Sequence, residues 1–271
     1  MENNFSKVPE CKDENSLIDQ FLSFVEIVKI LREKCPWDNR QTNESIAALI
    51  VEESYEVLDA IHKKQDGEFA KELGDLFLHI VMHAVMAQER GAFELIDVIK
   101  LIKAKLVHRH PHVFGNLSVN GESEVLQNWE SLKLKEGRTS MLQGVPKTLP
   151  SLLRAQRLQH KAAQVGFDWA DRNGVWDKVE EEMKEFRAEL SDNNFQNAEE
   201  ELGDLIFSIV NAARFEEIYA EEALQKTNDK FTKRFQYIEK IAKEKGVSMK
   251  DMSLEEMDAI WNEAKKIPDL D

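Results

Sequence analysis

Two short acidic motifs carry most of the chemistry this chain can offer. Glu52-Glu53-Ser54-Tyr55-Glu56 is followed by Glu72-Leu73-Gly74-Asp75-Leu76, and Glu181-Glu182-Met183-Lys184-Glu185 is followed by Glu201-Leu202-Gly203-Asp204-Leu205. From Glu52 to Glu181 and from Glu72 to Glu201 the interval is the same 129 residues. Both motifs recur in one register without a gap, so the chain reads as two tandem copies of one unit. Residues three apart in a helix lie about 60° apart around its axis and share a face. Glu182 and Glu185 therefore converge on one helix and Glu201 and Asp204 on the next, as do Glu53, Glu56, Glu72 and Asp75 in the first copy. The 16 residues from Glu185 to Glu201 are enough to finish a helix, turn and begin an antiparallel neighbour.

Four carboxylates meeting between two helices repel one another unless a cation neutralises them. Oxygen ligands without His or Cys select a hard divalent ion, Mg²⁺ or Mn²⁺, which keeps positions open for water and substrate phosphates. A single Glu-x-x-Glu is ordinarily a solvated helix face; its duplication at constant spacing argues for a site. Gly74 and Gly203 recur beside the acidic pairs, where a helix-interior Gly costs about 1 kcal/mol against Ala. That placement fits either the close approach of a ligand or tight helix packing.

The elements that must position these groups are helical. With 11 Gly and 6 Pro in 271 residues, long stretches are free of helix breakers, and the expectation is an all-α protein. Apolar positions 17, 18, 21, 24, 25, 28 and 31 follow the i, i+3, i+4, i+7 pattern, predicting a helix over 17–34 that stops at Cys35-Pro36-Trp37-Asp38. Similar patterns predict helices over 43–64, 68–90, 92–109, 150–164, 172–191, 195–217, 220–245 and 253–266. Between about 111 and 150 the Gly and Pro residues mark a connector with one short helix around Trp129. The domain boundary is set at 135/136, giving units 1–135 and 136–271.

A net charge of −15 with no long basic patch repels phosphate backbones and argues against a nucleic-acid partner. No unbroken apolar run of about 18 residues is present, and Met1-Glu2-Asn3-Asn4 carries neither a cationic nor an apolar leader segment; the expectation is a cytoplasmic protein without a membrane partner. Two cysteines, Cys11 and Cys35, are too few for a disulfide framework or a thiolate metal site and read as free thiols.

At this point the chain resembles the MazG family of nucleoside triphosphate pyrophosphohydrolases. The resemblance is carried by Cys35-Pro36-Trp37-Asp38, Gln41-Thr42, both acidic pairs, Arg109-His110-Pro111-His112-Val113-Phe114, Val165-Gly166-Phe167-Asp168-Trp169 and the run from Lys226 to Phe235. It implies two tandem four-helix units, usually homodimeric, with Mg²⁺ at the acidic cluster, hydrolysing (d)NTPs of broad base range to monophosphate and pyrophosphate. Housecleaning of nucleotide pools and stress-linked nucleotide control are both compatible with it. Carried over by motif, Glu182, Glu185, Glu201 and Asp204 are metal ligands of the second copy, and Glu53, Glu56, Glu72 and Asp75 of the first.

Bound Mg²⁺ polarises phosphoryl oxygens and stabilises a pyrophosphate leaving group. Glu181 either takes the water's proton or faces solvent behind the ligands; with Glu182, Glu185 and Lys230 it completes the catalytic set. Lys226, Lys230 and Arg234, at i, i+4 and i+8, form a basic stripe with Asn228 alongside, which opposite the metal becomes a clamp for phosphates. Phe167, Trp169 and Trp261 either stack on the base or pack in the core. In the first copy Leu101, Lys103, Lys105 and Arg109 align with Lys226, Asn228, Lys230 and Arg234, so one cation of the stripe is missing, and no counterpart of the Trp261 helix exists.

The second copy is accordingly read as the better catalyst. His108, His110 and His112, set around a Pro in a turn, are given a structural or interdomain role, and His79 and His83 are read as bundle residues. A di-iron carboxylate bundle needs Glu-x-x-His pairs, which neither motif supplies. The alternative reading is a non-catalytic helical module that binds nucleotide or a protein partner.

Overall fold

The computed structural model describes residues 7–121, 124–125, 128–129, 132 and 140–268. The Met1–Asn4 start and most of the short helix expected around Trp129 lie outside them. Among the described residues the chain forms ten α-helices and two 3₁₀ turns and no strand, and no helix is long and apolar enough to cross a membrane. It divides into two compact units, Met1–Asn120 and Gly121–Asp271, a division that falls inside the Gly/Pro connector.

The first unit contains α1 (Leu17–Lys34), α2 (Ala47–His62), α3 (Asp66–Glu89), α4 (Leu95–Arg109) and the one-turn α5 (Pro111–Phe114). Helix α2 packs along α3, and α1 and α4 pack on α3 as well. Val28, Ile46, Val81, Met82, Val85 and Met86 form its core, with Leu49, Leu78 and Phe24 packed against them. Ser16 caps α1 by accepting the Asp19 N–H, which satisfies one of the free donors of the first turn. The second unit contains α6 (Ser151–Ala163), α7 (Arg172–Ser191), α8 (Phe195–Phe215), α9 (Ala220–Glu244) and α10 (Leu254–Ala264). Here α7 packs along α8, α6 covers α8, and α9 packs on α6 and α10.

The duplication extends to the hairpin turns. Between α2 and α3, Lys64 has φ +54°, and between α7 and α8, Asn193, 129 residues later, has φ +56°. In both, the next residue's N–H reaches back into the last helical turn, Gln65 to the Ala60 carbonyl at 3.1 Å and Asn194 to the Glu189 carbonyl at 2.9 Å. That left-handed closure satisfies carbonyls the helix end leaves open. Asn tolerates the conformation and Lys does not. Lys64→Gly is therefore expected to raise the stability of the first unit by about 1 kcal/mol, measured by denaturant unfolding.

One buried cation organises the start of the first unit. Arg32 at the end of α1 is 8% exposed; its guanidinium holds Glu89 of α3 through Nε at 3.0 Å and Nη2 at 2.6 Å, and Nη1 donates to the carbonyls of Asp38 and Gln41. The fork thus pins the turn after Cys35 to the end of α3. The bonds from Arg32 hold the Glu89 carboxyl below its ordinary range. A depressed carboxylate contributes stability above its unfolded pKa of about 4.3 and loses it as pH falls through the folded value. Glu89→Gln is expected to lower stability at neutral pH by about 1 kcal/mol, a figure discounted for the exposure of Glu89, and to flatten the stability curve below about pH 4. Both are read from urea midpoints across pH.

Candidate functional site

The α7–α8 hairpin brings Glu182, Glu185 and Glu201 together, one oxygen of each lying within 4.8 Å of the others. The α2–α3 hairpin does the same with Glu53, Glu56 and Glu72. Asp204 and Asp75, one turn on from Glu201 and Glu72, lie near enough for their charges to act on the trios. Burial first, then the charges of Glu185, Glu182 and Asp204, push the Glu201 carboxyl up from its ordinary range. Burial and Glu56 do the same to Glu53, and burial with a hydrogen bond to Glu56 to Glu72. Groups that oppose their own ionisation and present only hard oxygens fit a divalent cation.

In the second unit the trio adjoins a hollow. Glu182 is 6% exposed and lines a cavity of about 830 Å³ together with Phe167, Trp169, Lys178, Asp204 and Asn211. One turn before Glu182 on the same helix, Lys178 Nζ lies 2.7 Å from both Glu182 and Glu181. Its hydrogen bonds to Glu181 and then Glu182 raise its pKa, so it stays charged. Glu181 itself is exposed and faces a separate recess with Asp177, Glu180, Lys184 and Glu185.

The aromatic strap is seated by a glycine. Asp171 caps α7 by accepting from the N–H groups of Asn173 and Gly174, and the Trp169 ring rests on Gly174, where a Cβ would lie 2.8 Å from Cε3. Phe167 is 83% exposed at the cavity rim. Nothing lies within 4 Å of a Cβ built on Gly74 or Gly203. Of the two reasons offered for these glycines, tight packing within the chain is thus absent among the described residues.

Other expected site residues are placed elsewhere. Lys226, Asn228, Lys230 and Arg234 sit on α9 and none lines the cavity. Lys226 and Asn228 are exposed, whereas Arg234 is buried with its guanidinium 5.6 Å from the Trp261 ring centre. Trp261 packs on Phe231 at 5.2 Å between ring centres. Sequence reasoning missed Lys178 as well as Gln159, Asn211 and Arg214, polar residues on α7, α6 and α8; the readable signal was Lys178 at i−4 from Glu182, on the ligand face.

The first unit keeps its trio with different neighbours. At the 129-residue offset Lys178 corresponds to Leu49, Asn211 to Met82 and Arg214 to Val85, all in or against the apolar core. Ser208 corresponds to His79, whose Nε2 lies 3.7 Å from Glu53. His83 contacts the Asn43 amide at 2.8 Å, and burial lowers its pKa. The His110 and His112 ring centres lie 5.7 Å apart, at the start of the helical turn that Pro111 opens.

A family model described as the MazG nucleotide pyrophosphohydrolase domain matches residues 41–114 and again 174–239, one match in each unit. The chain belongs to the MazG family. It is 42% identical over 255 residues to a protein named nucleoside triphosphate pyrophosphohydrolase from Escherichia coli, covering 92% of this chain and 97% of that one. It is 41% identical over 250 residues to nucleoside triphosphate pyrophosphohydrolase/pyrophosphatase MazG of Thermotoga maritima, covering 90% and 95%. To the uncharacterized protein YabN of Bacillus subtilis it is 48% identical over 272 residues, 97% of this chain but 56% of that one. Each MazG match contains one complete carboxylate trio. Gly174→Ala is expected to lift the Trp169 ring off α7, changing the near-ultraviolet circular dichroism of the tryptophans while the calorimetric affinity for divalent cations stays the same.

Proposed function

We propose that the chain hydrolyses nucleoside triphosphates to nucleoside monophosphate and pyrophosphate, and that the second unit does the chemistry. The observation that carries this reading is Glu182, which belongs at once to the carboxylate trio and to the wall of a cavity flanked by aromatic rings. Glu182, Glu185 and Glu201 hold the cation, Mg²⁺ with Mn²⁺ as substitute, and Asp204 lies beside them. The bound ion supplies charge neutralisation at the triphosphate and polarises a phosphoryl oxygen. Lys178 is the protein cation nearest this carboxylate and turns to a phosphate when the substrate enters. Glu181 then loses its partner and is free to take a proton from the attacking water. The base enters between Phe167 and Trp169, whose faces stack on any base.

The first unit keeps the carboxylates, but Leu49 stands where Lys178 does. We place binding of metal, not turnover, in that unit. A homodimer fits the exposed faces of α3 and α8: Leu73, Phe77 and Ile80, and at the same offset Leu202, Ile206 and Ile209, are each 41–46% exposed. In that assembly α9 offers Lys226, Asn228 and Lys230 to the neighbouring copy as the phosphate clamp.

Purified chain incubated with ATP and Mg²⁺ is expected to release AMP and pyrophosphate; ADP with phosphate, or no turnover, would favour a different hydrolase or a binding module. The paired change Glu182→Gln and Glu185→Gln is expected to lower pyrophosphate release by about a thousandfold, a loss of several kcal/mol of charge stabilisation. Glu53→Gln with Glu56→Gln leaves most of the activity, and the opposite ranking would move the chemistry to the first unit.

A further inference from the structure

Behind the cavity wall lies a guanidinium that no step of the hydrolysis requires. Arg214 of α8 is 9% exposed at its side chain. Its Nε donates to Asn211 Oδ1 at 2.9 Å, while Nη1 and Nη2 donate to the two Asp168 oxygens at 3.0 and 2.5 Å. Its carbon sits 4.7 Å from the Phe215 ring centre. Both residues it grips, Asn211 and Asp168, line the cavity. A guanidinium has donors only, so the atom of Asn211 that faces it is the amide oxygen, and the NH₂ group is left as the donor. Asp168 also accepts the Trp169 N–H at 2.9 Å, so the same grip fixes the aromatic strap.

A second residue of the wall is locked the opposite way. Gln159 is 6% exposed, its Nε2 donates to the Phe207 carbonyl at 2.8 Å, and its Oε1 has no hydrogen-bond partner among the described residues. A buried amide oxygen left without a donor is costly, and at the wall of a hollow it marks a place where a ligand's N–H completes the bond.

We infer that Asn211 and Gln159 read the edge of the nucleobase, Asn211 as donor and Gln159 as acceptor, and that Arg214 is the positioning residue that sets this polarity. The ligand chemistry is a base edge carrying an acceptor and an N–H donor, held by hydrogen bonds in addition to stacking. The inference rests on the reading of the cavity as the nucleoside site. It assigns no contact with the triphosphate.

The test uses the full chain and three readings: the calorimetric dissociation constant of a nucleoside 5′-monophosphate without metal, kcat and KM for the matching triphosphate, and the inhibition constant of inorganic tripolyphosphate. Arg214→Lys keeps the charge but loses the fork. It is expected to weaken monophosphate binding and raise KM by about tenfold, one well-placed hydrogen bond, with kcat falling far less and tripolyphosphate inhibition unchanged. Asn211→Asp turns the donor into an acceptor while strengthening the link to Arg214, so it tests the polarity in a folded protein even if Arg214→Lys unfolds; the same tenfold weakening is expected. Monophosphate binding by Asn211→Asp equal to wild type would overturn the inference, as would equal losses for monophosphate and tripolyphosphate. A wild-type chain that binds no monophosphate overturns the nucleoside reading of the cavity as well, whereas wild-type binding with unaffected variants overturns the base-edge assignment alone.

Discussion

Three carboxylates with oxygens inside 4.8 Å of each other resist ionising together, and the rest of each unit can be understood as what holds them there. Burial raises the cost further, as the upward shifts of Glu201, Glu53 and Glu72 register. The hairpin meets that cost structurally: a long packed interface between two helices, closed by a left-handed residue whose neighbouring N–H satisfies a carbonyl of the last helical turn. An isolated helix pair would splay to separate the charges. Here α6 in the second unit, and α1 and α4 in the first, pack onto the helix carrying the second acidic motif, so the cluster is relieved by acquiring a cation more readily than by moving apart.

The two copies carry the same repulsion with different neighbours. In the second unit Lys178 sits between Glu181 and Glu182 as an internal counter-ion. In the first, Leu49 occupies that place, and His79 Nε2 lies 3.7 Å from Glu53. The positions of Asn211 and Arg214 are filled by Met82 and Val85 of the apolar core. At these positions the second unit is polar, and Gln159 Oε1 on its cavity wall has no hydrogen-bond partner among the described residues.

The helices were legible because amphipathic periodicity is a local property: the spans expected over 17–34 and 172–191 are the observed Leu17–Lys34 and Arg172–Ser191, and the others differ at their ends by a few residues. The trios were legible for the same reason, since i, i+3 spacing and a single hairpin suffice to bring them together. Asp204, one turn on from Glu201, lines the cavity beside Glu182. The basic stripe on α9 is a correct helical pattern whose neighbour the pattern does not name, and Arg234 turned inward onto Trp261 because a guanidinium over an indole face is a stable way to bury that cation.

The cavity was not legible, because Gln159, Lys178, Asn211 and Arg214 come from three helices, and each alone reads as a solvated polar residue. Their common meaning appears only when the partner atoms are known. Arg214 can only donate, so Asn211 and Asp168 must turn oxygens toward it; the Phe207 carbonyl can only accept, so Gln159 must turn its nitrogen there. Each anchor dictates the polarity of the group left facing the hollow. A cavity walled by freely rotating amides would accept many ligands poorly, whereas one whose amides are fixed from behind binds those with the matching edge and loses little entropy in doing so. Where no such wall is built, as at Met82 and Val85 of the first unit, the same positions pack into the apolar core.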